Sequence, residues 1–364
     1  MSLSAATAKR PLNGLTGARP AAGDQDGSAS TSSLEALGPL ALEGTRAAAL
    51  ACQPHVGGGD RTAADAAASA AMRAVLARAP GRGIVVIGEG EKDDAPMLHP
   101  GEALGAGESV MFDLAVDPLE GTKACAAGLP GSMSTIALAT RGTLDVLPAC
   151  SWYMEKLLVG RRGRGALDIA RPPAENAINL AARLEKPVSE LGVVVLDKPR
   201  HRELIDVLRG LGARVHTPLD GDVGAGLLVL LESGSHDLLI GVGGTPEGVL
   251  TACAAVALGG ELQARLAPQH DQEMRRLRER SVDLSHVYDE RGLVAGESLF
   301  AACGVTTGEL LRGPRTYEER VLTESLLVTA GSVSRVTETT FVQVDGSHPV
   351  ESARPLAGMS GLGR

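Results

Sequence analysis

The chain has 364 residues, a formal net charge of −9, and 44% hydrophobic but only 2% aromatic side chains. That length carries ample core for one large domain or two modest ones. The acidic balance and the scarcity of rings exclude general affinity for nucleic acid or anionic lipid, and suit a protein that gathers carboxylates around cations.

Residues 1–36 are rich in Ala, Gly, Ser and Pro and predict a disordered tail. It has no apolar signal core, and nowhere is there an apolar run of about 18 residues, so neither secretion nor a membrane span is expected. Cys52, Cys125, Cys150, Cys253 and Cys303 show no CxxC spacing and read as reduced thiols in a cytoplasmic setting.

In chain order, "TAADAAASAAMRAVLARA" (62–79) predicts a helix, with Thr62 near its start and Gly81 past its end. "GIVVIG" (83–88) predicts a short buried strand running into an acidic loop, and "SVMFDLAV" (109–116) a second strand that stops at "DPLEGTK". "MSTIALAT" and "LDVLPA", divided by Arg141 and Gly142, predict a strand pair. "AENAINLAARL" (174–184) is helical. From residue 192 strand and helix alternate: "GVVVLD", "RHRELIDVLRGLG", "ARVHTP", a helix after "DGDV", "DLLIGVG" and "PEGVLTACAAVAL". Such alternation predicts a layered α/β fold. A boundary near 165–175 divides an N-terminal α+β half, 37–170, from a C-terminal α/β half, 171–346, with a second loose tail at 347–364.

Carboxylates gather at element ends. They are Asp65 in "GGGDRTAADAAA", Glu89 and Glu91 in "VIGEGEKDDAP", Asp117 and Glu120 in "AVDPLEGTK", and Glu247 in "GVGGTPEGV". Three of these features follow buried strands, and ligands gather at the carboxyl ends of strands in α/β folds. Taken singly, each is ordinary turn chemistry. Together, flanked by glycine or proline, they point to phosphate-ester hydrolysis, in which Mg²⁺ or Mn²⁺ takes carboxylate oxygens, water and a phosphoryl group. Asp117 and Glu120 lie three apart across a turn, with the Leu119 carbonyl between them. Gly121 lets a phosphate approach the backbone, and Thr122 follows where a helix can begin and a hydroxyl can orient water.

With these motifs in view, "DPLEGT" resembles the metal-binding motif of the lithium-sensitive sugar and inositol phosphatase superfamily. Glu120 in place of the usual Asp, with "GEGEKDDAPML", "WYMEKLLVG", "KPRH", "DGDV" and "GGTPEGV", resembles the class II (GlpX-type) fructose-1,6-bisphosphatases from about Gly57 to about Val344. The resemblance implies an αβαβα sandwich with a metal-binding N-terminal half and a sugar-binding C-terminal half. It implies Mn²⁺ or Mg²⁺ as cofactor, a small-molecule sugar bisphosphate as partner, and a homo-oligomer.

It also implies roles. Asp65 and Glu89 match one set of metal ligands, and Asp117, Glu120 and Glu247 the other. Thr122 matches the residue that binds the scissile phosphate and helps activate water, beside Gly121. Tyr153 matches a substrate-contacting tyrosine. Lys198, Pro199 and Arg200 match the grip on the distal phosphate. Asp220, Gly221 and Asp222 match the residues that bond sugar hydroxyls, and Gly244 a backbone contact to substrate. The expected reaction is hydrolysis of the 1-phosphate of fructose 1,6-bisphosphate.

Two departures qualify the sugar and not the reaction. Arg61 stands at a catalytic position where the family usually has lysine, and the two cations are not equivalent. "GSM" and "FAACGVTTGELL" are closer to the cyanobacterial-type dual bisphosphatases, which also cleave sedoheptulose 1,7-bisphosphate. Dual specificity, a specialised sugar phosphate, and a non-catalytic sugar-phosphate-binding homologue are therefore the competing readings. His201 and His216 read as structural.

Overall fold

The computed structural model describes residues 34–89, 97–107, 110–145 and 147–341. Glu91 and its loop, 90–96, and most of the two predicted tails lie outside these residues. Leu34 and Leu37 are already buried where the described chain begins.

Two helices come first, α1 (Gly38–Ala51) and α2 (Arg61–Leu76). Asp60 caps α2 by accepting from the Ala63 N–H at 3.0 Å. There follow β1 (Arg82–Ile87), β2 (Ala103–Leu104), β3 (Met111–Glu120), the short α3 (Thr122–Ala127) and β4 (Met133–Thr140). "LDVLPA" does not form the expected strand: Leu144 makes a single bridge to Val294. Pro148 within that stretch has no N–H to give a ladder.

The middle of the chain gives β5 (Tyr153–Val159), α4 (Pro173–Arg183), β6 (Gly192–Val194), α5 (Arg202–Gly210), β7 (Arg214–His216), α6 (Val223–Leu230), β8 (Leu238–Gly244), α7 (Thr245–Leu258), β9 (Glu261–Leu266), α8 (Asp271–Glu279), β10 (Tyr288–Asp289) and α9 (Glu290–Leu293). The described chain ends with β11 (Ser298–Gly304), β12 (Arg315–Tyr317), β13 (Arg320–Thr329) and β14 (Ser332–Phe341).

These strands make two mixed sheets. The first runs β12-β13-β11-β4-β3-β1-β2, with β14 on the other edge of β13. The second runs β10-β9-β5-β8-β6-β7. The second sheet comes from one continuous stretch, 153–289, inserted between the two parts of the first.

Three apolar clusters order the layers. Helices α1 and α2 cover the outer face of the first sheet through Ala41, Ala48, Ala64, Ala68 and Met72. Helices α4 and α5 cover the outer face of the second through Ala177, Leu180, Ile205 and Leu208. Helices α6 and α7 fill the space between the sheets. Helix α7 is apolar on every side, ten of its 14 residues are buried, and only a central layer hides such a helix completely. The result is the expected αβαβα sandwich. No described helix is long and apolar enough to cross a membrane.

Candidate active site

Strand β3 does not stop at Asp117; it runs on to Glu120. The ladder pairs Asp117 with Thr135 and Glu120 with Met133, so β3 spends three steps where β4 spends two. That one-residue bulge decides the site. In a regular strand positions three apart face opposite sides, and the extra residue returns them to one side. Pro118 lies inside the bulge, where its missing N–H breaks no ladder bond. Thr135 on β4 and Ser132 just before it brace the bulge, donating hydroxyl bonds to the carbonyls of Asp117 (3.3 Å) and Glu120 (2.9 Å).

Gly121 then turns the chain at φ +76°, in the left-handed region that favours glycine. Thr122 opens α3, and its hydroxyl donates to the Leu119 carbonyl at 2.9 Å. Its proton is thereby committed, so toward a water the Thr122 oxygen is an acceptor.

Glu247 arrives from the first turn of α7, directly after β8. Oxygens of Asp117, Glu120 and Glu247 lie within 4.8 Å of one another. Burial, then the charges of Glu120, Glu247 and Glu89, hold Asp117 well above the ordinary carboxylate range. Burial, then Glu247 and Asp222, push Glu120 up to about 8, against the Val223 N–H and the Asp117 hydrogen bond, which lower it. Buried carboxylates drawn together at this spacing resist ionising, and oxygen donors so arranged are the set that a hard divalent cation takes. Asp117, Glu120 and Glu247 therefore fit the implied metal.

Around this cluster stands a polar rim. Asp220, Gly221 and Asp222 form the turn before α6; the Val223 N–H donates to Glu120 Oε1 at 2.9 Å, and Asp220 Oδ2 accepts from the Lys123 N–H at 3.3 Å. Lys198 donates to the Leu219 carbonyl at 2.6 Å and reaches Asp220 at 3.3 Å. Pro199 and Arg200 begin the turn into α5; Arg200 donates twice to the Val242 carbonyl and lies 5.3 Å from the centre of the Tyr153 ring. His201 holds that turn: its Nδ1 bonds the Leu196 carbonyl and its Nε2 accepts from the Val242 N–H, both at 2.8 Å. Burial keeps His201 neutral by lowering its pKa.

The glpX-encoded bacterial fructose-1,6-bisphosphatase family matches residues 36–341. The chain belongs to that family. Fructose-1,6-bisphosphatase 2 class 2 of Escherichia coli K12 is 41% identical over 298 residues, covering 78% of this chain and 92% of the relative. Fructose-1,6-bisphosphatase 1 class 2 of the same strain is 39% identical over 298 residues, covering 78% and 88%.

Within this glpX-type fold, three expected residues lie outside the carboxylate trio. Asp65 is half-buried on the second turn of α2, where its charge acts on Cys52. Glu89 follows β1 and acts on Asp117 through its charge. Arg61 is exposed at the first position of α2. The Gly57–Gly59 loop, bonded to the Cys125 and Ala126 carbonyls at 2.9 Å, ties the start of α2 to α3 and so brings Asp65 and Arg61 toward this side.

Two supporting residues escaped the sequence reading. Glu273, fully buried on α8, accepts from the Trp152 and Tyr153 N–H groups at 2.6 and 2.8 Å and so sets the start of β5. Lys156 is buried on β5 beside Asp222. The signal for Lys156 was present in "YMEKLLVG": a lysine followed by Leu, Leu and Val is a charge that a buried strand must neutralise.

Proposed function

We propose that this chain hydrolyses the 1-phosphate of fructose 1,6-bisphosphate, releasing fructose 6-phosphate and phosphate, with Asp117, Glu120 and Glu247 holding Mg²⁺ or Mn²⁺. The enzyme class follows from the family: the chain is a phosphoric monoester hydrolase. The single observation that carries the site reading is the bulge in β3, which turns Asp117 and Glu120 to one side against Glu247.

A divalent ion there supplies charge neutralisation for the phosphoryl group and acidifies bound water. The protein's own groups do the rest. Thr122 accepts from the attacking water and orients it. Gly121 leaves the backbone open to the scissile phosphate. Lys198 and Arg200, with Pro199 fixing the turn, grip the distal phosphate, where Arg presents a planar fork and Lys a compact charge. Asp220, Gly221 and Asp222 receive the sugar hydroxyls, Tyr153 packs against the sugar, and Gly244 offers its backbone. Asp65 and Glu89 form a second metal-binding set beside the first, and Arg61 stands at its edge. We place the enzyme in the cytoplasm as a homo-oligomer acting in gluconeogenesis.

Phosphate release from fructose 1,6-bisphosphate, measured with Mg²⁺, with Mn²⁺ and with EDTA, tests the reading. Metal-dependent release that disappears in Asp117→Ala, with the fold retained, is the expected result. Normal turnover by Asp117→Ala removes the metal assignment. A greater rate on sedoheptulose 1,7-bisphosphate transfers the activity to that sugar.

A further inference from the structure

Lys156 sits on β5 among Leu157, Leu158 and Val159 and is 1% exposed. A lysine so deep keeps its charge only beside a counter-ion and hydrogen-bond acceptors. Both are in place. Its Nζ lies 2.6 Å from Asp222 Oδ2 and donates to the Gly244 carbonyl at 3.0 Å. The other oxygen of Asp222, Oδ1, is buried without a hydrogen-bond partner among the described residues.

The surroundings are shaped for this pair. A Cβ at Gly243 would lie 2.0 Å from Asp222 Oδ2 and 2.8 Å from Lys156 Nζ, so glycine alone leaves the pair its room. Each partner of Lys156 also stands directly before a helix. Asp222 precedes α6, whose first N–H holds Glu120, and Gly244 precedes α7, which carries Glu247. One ammonium thus joins the starts of both helices that frame the carboxylate cluster.

We infer that Lys156 is a positioning residue for the hydrolysis: it ties the Asp222 side chain to the Gly244 carbonyl and so keeps Asp220, Gly221 and Gly244 placed for the sugar. The inference rests on the site assigned under the proposed function. Without the ammonium, Asp222 is a buried anion with no counter-ion, and the turn before α6 loses the contact that fixes it.

A double-mutant cycle tests this, with Lys156→Met, Asp222→Asn and the pair together. The readouts are kcat and KM for fructose 1,6-bisphosphate at saturating Mg²⁺, and Mn²⁺ binding by electron paramagnetic resonance. Lys156→Met is expected to lower kcat/KM by about 30-fold, the size of a lost hydrogen bond to a charged group, chiefly through KM. The double variant should match Asp222→Asn within about threefold, because the lysine acts through the aspartate. Mn²⁺ binding should persist in Lys156→Met.

Losses that multiply, or an unchanged Lys156→Met, overturn the inference. Gly243→Ala serves where Lys156→Met fails to fold: it keeps both charges and forces them apart, and a wild-type KM in that variant overturns the inference equally. Asp117→Ala separates the two readings. Undiminished Mn²⁺ binding in that variant removes the site assignment itself, whereas additivity in the cycle removes only the role of Lys156.

Discussion

Glu120 offers the sharpest test of the carboxylate cluster, through Glu120→Gln. In the metal-free protein its carboxyl is pushed from 4.5 up to about 8, by burial first and then by Glu247 and Asp222. A group whose folded pKa is raised holds its proton longer in the folded state. Its contribution to stability is therefore complete below 4.5 and lost as pH rises through about 8. Over that span the differential is about 5 kcal/mol as a ceiling, at roughly 1.4 kcal/mol per tenfold change in proton affinity. Because Asp117 shares a hydrogen bond with Glu120, the recoverable part is on the order of 2 kcal/mol.

Glutamine keeps an oxygen for the Val223 N–H and cannot ionise. In EDTA at pH 8, Glu120→Gln should therefore melt about 3 °C above the parent, and the difference should close toward pH 5. Added Mg²⁺ or Mn²⁺ should raise the melting temperature of the parent and leave the variant nearly unmoved, while metal-dependent phosphate release disappears in the variant. Differential scanning calorimetry across pH, with and without metal, reads all of this. A variant that melts below the parent at pH 8 in EDTA would refute the claim that these carboxylates repel one another in the folded state.

Three further outcomes are expected. Lys198→Ala should raise KM for the bisphosphate about tenfold with kcat nearly unchanged, since a distal phosphate supplies uniform binding; steady-state kinetics showing an unchanged KM would take Lys198 out of the site. Gly121→Ala forces a Cβ into φ +76° and should lower stability by about 1–2 kcal/mol while reducing kcat; calorimetry and turnover that both match the parent would contradict the turn's role. His201, whose pKa burial holds below 6.5, contributes stability that is complete above that value and falls as pH drops beneath it; His201→Ala should melt lower at pH 7.5 and decline less steeply from pH 6.5 to 5, and parallel curves would place the acid sensitivity elsewhere.

Much of this architecture could be read from the residues, for identifiable reasons. Strongly patterned segments with plain punctuation, such as "TAADAAASAAMRAVLARA" and the strand–helix alternation after residue 192, formed close to their expected bounds. Local patterning is informative where burial face and propensity agree. Helix α1 was not expected, because "GPLALEGTRAAALA" holds two glycines and a proline; its small residues serve close packing on α2 and not helix propensity. A proline and two carboxylates look the same in a turn and in a bulge until the partner strand is known, so the sequence predicts a strand end where β3 bulges. Strand β14 has almost no buried face, so no periodicity marked it. At the site, Asp117, Glu120 and Glu247 were legible because chemistry restricts which residue types sit at strand ends. Lys156 and Glu273 act through partners 66 and 121 residues away, counted to Asp222 and Trp152, and no local window contains both ends of such a contact.

The insertion of the second sheet within the first has a consequence for how the chain is made. Strand β4 needs β11 as its outer neighbour, and β11 is preceded by the entire stretch that builds the other sheet. During synthesis from the N-terminus, Asp117 and Glu120 emerge early on an unfinished sheet whose open edge is β4, while Glu247 and the closing strands follow more than a hundred residues later. Pairings of such long sequence separation form slowly, and an exposed strand edge invites wrong partners in the interval. Chains truncated before β11 should therefore be prone to aggregate, and the carboxylate cluster of Asp117, Glu120 and Glu247 is assembled among the last events of folding.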